Sequence, residues 1–472
     1  MTKQQSQLLA GHRMATAENA FRFRTEAVRH MNRREFLATS AAAGVSFSLF
    51  GANSPTVSTS TSRPAILGGD PVRTEGWPAW PVFNDVEDKA MLNALRSGKW
   101  FRYSGNQVAK FEKAYAARAG AKHCVATSSG TTSLLTTLGA LNIGPGDEVI
   151  LPPYTFVATY NVITMHYALP VFVDIDVATS QIDADKIEAA ITKNTKAIIP
   201  VHLGGNCCDM DKILEVAKKH NIPVIEDACQ SHLAEWRGKM VGTWGTAGCF
   251  SFQASKNLNS GEGGAILTND DEFADLCEGF QDQGRARGAK FEHHYTRGAN
   301  LRMTEFQGAL LQAQMTRIEE QAKRRTENAK YLDSMLKEIP GILPQRSYPG
   351  CTRHAYHLYA FRYKPENFAG LSRDKFMHAL TKEGIDCAGG YTHMPQGTHI
   401  QNLLKNRHYQ RLYSKEVLER FAAHCECPQN KILCSENVRL SQNQLLGPSS
   451  DMNQIAEAIR KIQANAAEIT KA

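Results

Sequence analysis

Phe250-Ser251-Phe252-Gln253-Ala254-Ser255-Lys256 runs from an apolar segment through a serine to a lysine five residues on, and Gly261-Glu262-Gly263-Gly264 then turns the chain into Ala265-Ile266-Leu267-Thr268. Short apolar runs bounded by glycine read as buried strands. A lysine held between two such strands has its amine fixed in space, which is what a covalent or proton-transferring amine needs.

Working outward, short β-branched runs alternate with longer helical stretches from about residue 85. His123-Cys124-Val125-Ala126 reads as a strand, and Leu134, Leu135, Leu138 and Leu141 then mark one face of a helix. Gly144-Pro145-Gly146-Asp147 turns into the strand Glu148-Val149-Ile150-Leu151; Ala197–Val201 is another strand, 209–220 a helix, and Pro223-Val224-Ile225-Glu226-Asp227 a strand with a polar end. The alternation predicts a mainly parallel sheet covered by helices, with ligands bound at the carboxyl ends of its strands. Residues 304–338 read as long helical stretches bridging to a second domain, in which 356–362 is a strand and 373–383 and 452–464 are helices.

The 472 residues, 42% hydrophobic and 21% charged, exclude a fibre or a disordered chain and suffice for two cored domains. Net charge is +7, yet residues 1–63 hold 8 Lys/Arg against 3 Asp/Glu, leaving 46 basic and 44 acidic residues beyond them. No basic footprint for nucleic acid remains. Met31-Asn32-Arg33-Arg34-Glu35-Phe36-Leu37 and the small-residue run 38–50 resemble a twin-arginine export signal, too short to span a bilayer, with Met31 as an alternative start. Residues 53–64 read as a polar linker. The expectation is a periplasmic or exported protein without a membrane span, or otherwise a cytoplasmic one. The 11 cysteines include no CxxC pair, and His424-Cys425-Glu426-Cys427 with Cys434 matches no familiar zinc spacing. They read as buried or incidental thiols, and no metal site is expected.

Four further segments bear on chemistry. Ser128-Ser129-Gly130-Thr131 at a strand-to-helix junction offers backbone N–H groups, hydroxyls and the positive end of a helix dipole to a phosphate, although a plain helix cap has the same composition. Asp227 is a candidate partner for a pyridinium nitrogen or a cap on the next turn; Gln230, three residues on, is a candidate for the ring's phenolic side. Phe156, in Pro153-Tyr154-Thr155-Phe156, suits stacking on a ring or packing in a core. Lys256 lies 29 residues past Asp227 and before the glycine turn, and the stretch looks like the lysine site of a pyridoxal-phosphate enzyme.

Ser129-Gly130-Thr131, Gly144–Ile150 with Tyr154-Thr155-Phe156, Pro200–Gly205, Glu226–His232, the Lys256 stretch and Gly298–Met303 together resemble the DegT/DnrJ/EryC1/StrS aminotransferases from about Pro64 to the C-terminus. The resemblance implies a fold-type-I α/β architecture with a mainly parallel seven-stranded sheet and a smaller C-terminal α+β domain, divided here as leader and linker 1–63, large domain 64–320 and small domain 321–472. It implies pyridoxal 5′-phosphate as cofactor, with Lys256 as its covalent anchor and proton shuttle, Asp227 on the ring nitrogen, Gln230 on the ring oxygen side and Phe156 against the ring. Gly130, Thr131 and Ser251 would bind the phosphate, joined by Asn300 from the neighbouring subunit of a homodimer. Ser129 replaces the usual Asn and Leu233 the usual Gly. The segments Leu67–Arg73, Trp77–Pro81 and Ser251–Leu258 look most like the branch acting on scyllo-inosose or the aminohydroxybenzoate synthases.

These features predict transfer of an amino group from glutamine or glutamate to a keto-sugar or keto-cyclitol, with His232, His357, Tyr391 and His393 around the acceptor. The rival is an exported pyridoxal-phosphate-binding protein, a sensor or scaffold, without transaminase activity.

Overall fold

The computed structural model describes residues 62–285 and 293–472. The leader and most of the polar linker lie outside them. Seven strands form the central sheet: β1 (His123–Thr127), β2 (Glu148–Leu151), β3 (Leu169–Phe172), β4 (Thr195–Ile198), β5 (Ile225–Asp227), β6 (Ala247–Ser251) and β7 (Gly264–Thr268). Their order is β3-β2-β4-β5-β6-β7-β1, with β4 and β5 joined through the parallel bridges Ile198–Val224 and Val201–Asp227. Only β7 runs against its neighbours, pairing Ser251 with Gly264 on one side and Thr127 with Gly264 on the other.

Because side chains alternate across a strand, this sheet feeds two cores at once. Cys124, Ala126, Ile150, Ala265 and Leu267 enter one cluster with Phe111 and Tyr115; Val125, Val149, Leu151 and Ile266 enter the other with Leu134 and Leu138. Burial on both faces is why β6 and β7 carry unbroken apolar runs. The reversal of β7 also has a positional result. The strand ends Asp227 and Ser251, the exit from β1 at Ser129, and the glycine turn that enters β7 all lie on one edge.

A second sheet, β8 (Ile342–Pro344), β9 (Leu358–Tyr363), β10 (Ala388–Gly389) and β11 (Asn437–Ser441), is antiparallel throughout, in the order β8-β9-β11-β10. Strand β9 alternates: Tyr359, Phe361 and Tyr363 are buried against Leu332, Leu336, Ile455 and Ile459 from the covering helices Ile318–Leu336 and Ser449–Ala464. Its other face turns toward the main sheet's edge. Residues 65–77, expected with the large domain, pack on this second layer instead: Glu383 accepts the backbone N–H of Ala65 (2.8 Å) and Val72 (3.0 Å), and Lys461 closes the buried pair at 2.9 Å. The long helical stretches expected over 304–338 are the two helices Glu305–Gln314 and Ile318–Leu336.

Candidate active site

A cavity of about 820 Å³ opens between the polar edge of the main sheet and the second layer. Gly130, Thr131, Phe156, Asp227, Gln230, Ser251 and Lys256 all line it, although they come from segments spread over 127 residues. His357 and Tyr391 line it as well.

At one end stands the helix Gly130–Ala140. Its cap is closed on itself: the Ser129 hydroxyl accepts the Thr132 N–H at 3.1 Å and the Thr132 hydroxyl accepts the Ser129 N–H at 2.9 Å. The cap thereby leaves the N–H groups of Gly130 and Thr131, which have no acceptor within the helix, toward the cavity. Gly130 is required by crowding, since a Cβ there would meet the Ser251 Cβ at 2.6 Å and the Cys229 sulfur at 2.8 Å. Small residues at this end keep room for a phosphate against free backbone donors.

Asp227 is 5% exposed at the end of β5. Its carboxylate accepts the Thr159 hydroxyl at 2.8 Å and the Cys229 N–H at 3.2 Å, and its own N–H donates to Pro200 O at 2.9 Å. Two acceptor positions are occupied and the carboxylate still faces the cavity, as a partner for a protonated ring nitrogen should. Gln230 is fixed at both ends: its oxygen accepts the Gly204 N–H at 2.8 Å and its amide donates to the Tyr391 hydroxyl at 2.9 Å. Phe156 is 58% exposed at the start of the helix Val157–Met165, so its ring lies on the cavity surface and not in the core.

Lys256 is held by its surroundings. Its N–H donates to Gln253 O at 2.8 Å, Phe252 N–H donates to Gly263 O at 2.8 Å, and the Trp80 indole donates to Ala254 O at 2.9 Å. Among the described residues the amine has no ion pair. Burial lowers its proton affinity below that of an ordinary lysine, Cys229 and Asp227 oppose the change, and Arg439 adds to it. A neutral amine is therefore more accessible than on a surface lysine. Burial also keeps the His357 imidazole neutral, with the cations Lys256, Arg325 and Arg439 acting in the same direction.

Two expected cavity residues lie elsewhere. His232 is buried below it against Phe250 and Phe252, its pKa pushed down to about 3 by burial, because the turn after Gln230 carries it under the sheet edge. His393 is turned to Asn430, 2.9 Å away. Asn300 is exposed outside the cavity, bridged to Asp282 beside the β1 exit. Unforeseen participants are Thr159, Trp80, Asp386, Arg439, Gln442 and Asn443. Thr159 carried one signal, being one helical turn from Thr155, whose hydroxyl it meets at 2.9 Å. Among the described residues no group of three or more His, Cys, Asp or Glu converges on a metal position.

The profile of the DegT/DnrJ/EryC1/StrS aminotransferase family matches residues 83–439. The chain belongs to this family. It is 37% identical over 424 residues to an L-glutamine:2-deoxy-scyllo-inosose aminotransferase of Streptoalloteichus tenebrarius, covering 84% of this chain and 97% of that one. It is 35% identical over 424 residues to the L-glutamine:scyllo-inosose aminotransferase of Streptomyces griseus, covering 86% and 99%. Among solved structures, 3-amino-5-hydroxybenzoic acid synthase superposes with a TM-score of 0.73 at 30% identity over 83% of this chain and 99% of that one. The protein is thus a pyridoxal-phosphate-dependent aminotransferase of fold type I. Its residues fit the cofactor: the absence of a side chain at Gly130 keeps the helix start open beside Ser251, and the Asp227 carboxylate and Lys256 amine face one cavity.

Proposed function

We propose that this protein transfers the amino group of glutamine to the carbonyl of a keto-cyclitol. The observation that carries the reading is the convergence of Lys256, Asp227 and Gln230 on one cavity with a helix start that suits an anion, in a chain whose relatives are named as glutamine:2-deoxy-scyllo-inosose and glutamine:scyllo-inosose aminotransferases. Gly130, Thr131 and Ser251 would hold the phosphate, Asp227 the ring nitrogen, Gln230 the ring's oxygen side and Phe156 the ring face. Bound there, pyridoxal phosphate supplies an aldehyde carbon and an electron-accepting ring. Lys256 would move the proton from the donor's α-carbon to the cofactor's former aldehyde carbon, and in the second half of the cycle would carry a proton from that carbon to the acceptor's carbonyl carbon. Its lowered proton affinity suits the first task, because the free amine must be present to act as a base. Asp227, whose carboxylate accepts from Thr159 and Cys229, would favour a protonated ring and so strengthen its pull on electrons.

The functional unit in this reading is a homodimer in which the partner brings Asn300 to the phosphate. The exposed aromatic residues Phe83, Trp100, Phe101 and Tyr103 supply apolar surface for that contact. The leader in residues 1–63 supports delivery by the twin-arginine route, to be checked by fractionating the cells. Among the described residues no helix is long and apolar enough to cross a membrane.

The deciding experiment is an absorbance spectrum of the loaded protein before and after glutamine. Loss of the aldehyde-form band, followed by its return on adding 2-deoxy-scyllo-inosose or scyllo-inosose, is expected. A band that no amino acid alters would overturn the reading.

A further inference from the structure

Two cysteines from distant parts of the chain come together where the sheet edge meets the segment leading to the second layer. Cys207 follows the turn Leu203–Gly205, whose Gly204 N–H donates to the Gln230 side chain at 2.8 Å. Cys351 opens the short strand Cys351–Arg353, which pairs antiparallel with Glu235–Trp236 and runs on through Ala355 to His357 at the cavity. The Ala355 N–H donates to Gly205 O at 2.8 Å, so the two segments are already joined through their backbones.

Both thiols donate to the Arg353 carbonyl, Cys351 at 3.6 Å and Cys207 at 3.9 Å, and they lie within hydrogen-bonding reach of each other. The adjacent Cys208 turns away, to Val201 O at 3.2 Å and Gln181 Oε1 at 3.5 Å. The pair is asymmetric, because Cys207 is fully buried and Cys351 is half-buried. The hydrogen bond from Cys207 holds the Cys351 thiol below its ordinary range against the effect of burial, and the Cys207 backbone and Ser347 reinforce it. The same bond and burial push the Cys207 thiol up. A reachable, more acidic thiol beside a buried one suits attack on an oxidant by the first sulfur and resolution by the second.

We propose that Cys207 and Cys351 form a dithiol site that a small-molecule disulfide oxidises, the resulting protein disulfide fastening the turn that holds Gln230 to the segment that carries His357. The Cys351 thiolate attacks one sulfur of the oxidant; that S–S bond breaks, one thiolate leaves, and the other half of the oxidant stays on Cys351 as a mixed disulfide. Cys207 gives its proton to the departed thiolate and attacks the Cys351 sulfur, which forms the protein disulfide and expels the second thiolate to take a proton from water. The two protein thiols have then lost two electrons and two protons, and the oxidant has become two thiols. The new bond closes a long loop and so restricts the unfolded chain more than the folded one.

The test treats the cofactor-loaded full chain with oxidised glutathione, quenches in acid, alkylates the remaining thiols and maps tryptic peptides by mass spectrometry. The first product expected has lost two thiols per chain and links peptide 197–212, through Cys207, to peptide 347–353; dithiothreitol reverses it. The melting temperature of the oxidised protein should rise by about 2–5 °C, and the rise should be absent from Cys351→Ala and present in Cys208→Ala. A link through Cys208, a glutathione adduct on Cys351 that never resolves, oxidation of other thiols while these two stay reduced, or an equal temperature rise in Cys351→Ala overturns the proposal.

Discussion

On the sheet side of the cavity, Asp227, Ser251 and Lys256 sit at or just beyond the ends of buried strands, with the backbone on either side hydrogen-bonded into the sheet or its turns. On the opposite side, His357, Tyr391 and Arg439 come from an antiparallel layer assembled from residues far apart in sequence, whose place is set by contacts such as Lys461–Glu383 and Arg325–Gln442. The sheet side carries the groups that would move protons and polarise the ring. The second layer carries the groups that would meet substrates. Chemistry common to a family rests on rigid strand ends, and selectivity is left to a surface whose geometry depends on long-range packing.

If that division holds, damage to the two sides should differ in kind. Lys256→Ala removes the proton-carrying group and should cut turnover by roughly 10²–10⁴-fold or more, while the melting temperature of the cofactor-free protein, read by circular dichroism, changes little. Glu383→Ala should do the reverse. It strands the buried Lys461 and two backbone donors, costing about 3–5 kcal/mol in denaturant unfolding, yet the folded fraction should keep its activity. A large loss of stability in the first variant, or of specific activity in the second, would break the comparison.

Smaller changes sharpen it. Thr159→Val deletes a hydrogen bond to the buried Asp227 carboxylate, and should both lower stability by about 1.5–3 kcal/mol in denaturant unfolding and weaken retention of pyridoxal phosphate in dialysis. The last expectation concerns acid. His232 is held near a pKa of about 3 by burial, below the ordinary value of 6.5. The unfolded chain binds its proton first, so the stability is fully present above pH 6.5 and is lost as pH falls toward 3. Replacing His232 with Phe should flatten that decline by about 1.4 kcal/mol per pH unit, measured as denaturation midpoints between pH 6 and 4.

Six of the seven strands of the main sheet, all but β3, and the residues that line the cavity from their ends were legible because their causes are local. An apolar run ending in a polar residue announces a strand and its functional end, and Gly261, Gly263 and Gly264 announce the turn that returns the chain to the same edge. His232 and His393 misled because residue type and proximity in sequence do not say which way a turn aims a ring; the first packs under Phe250 and the second against Asn430. Thr159, Trp80 and Arg439 were not foreseen. Trp80 reaches Ala254 across 174 residues, and Arg439 occupies a strand where each alternate position looks equally suited to solvent.

The sequence by itself determined the alternation of strands and helices, the candidate lysine, acid and amide at the ends of their segments, and the helix start that suits a phosphate, since each is announced by residues within a few positions of it. The tertiary structure alone decided that β7 runs against its neighbours and brings its glycine turn to the active edge, that residues 65–77 pack on the second layer, and that Arg439 faces the cavity. Those outcomes follow from which distant surfaces exclude water together, a property of the whole packed chain that no short segment contains.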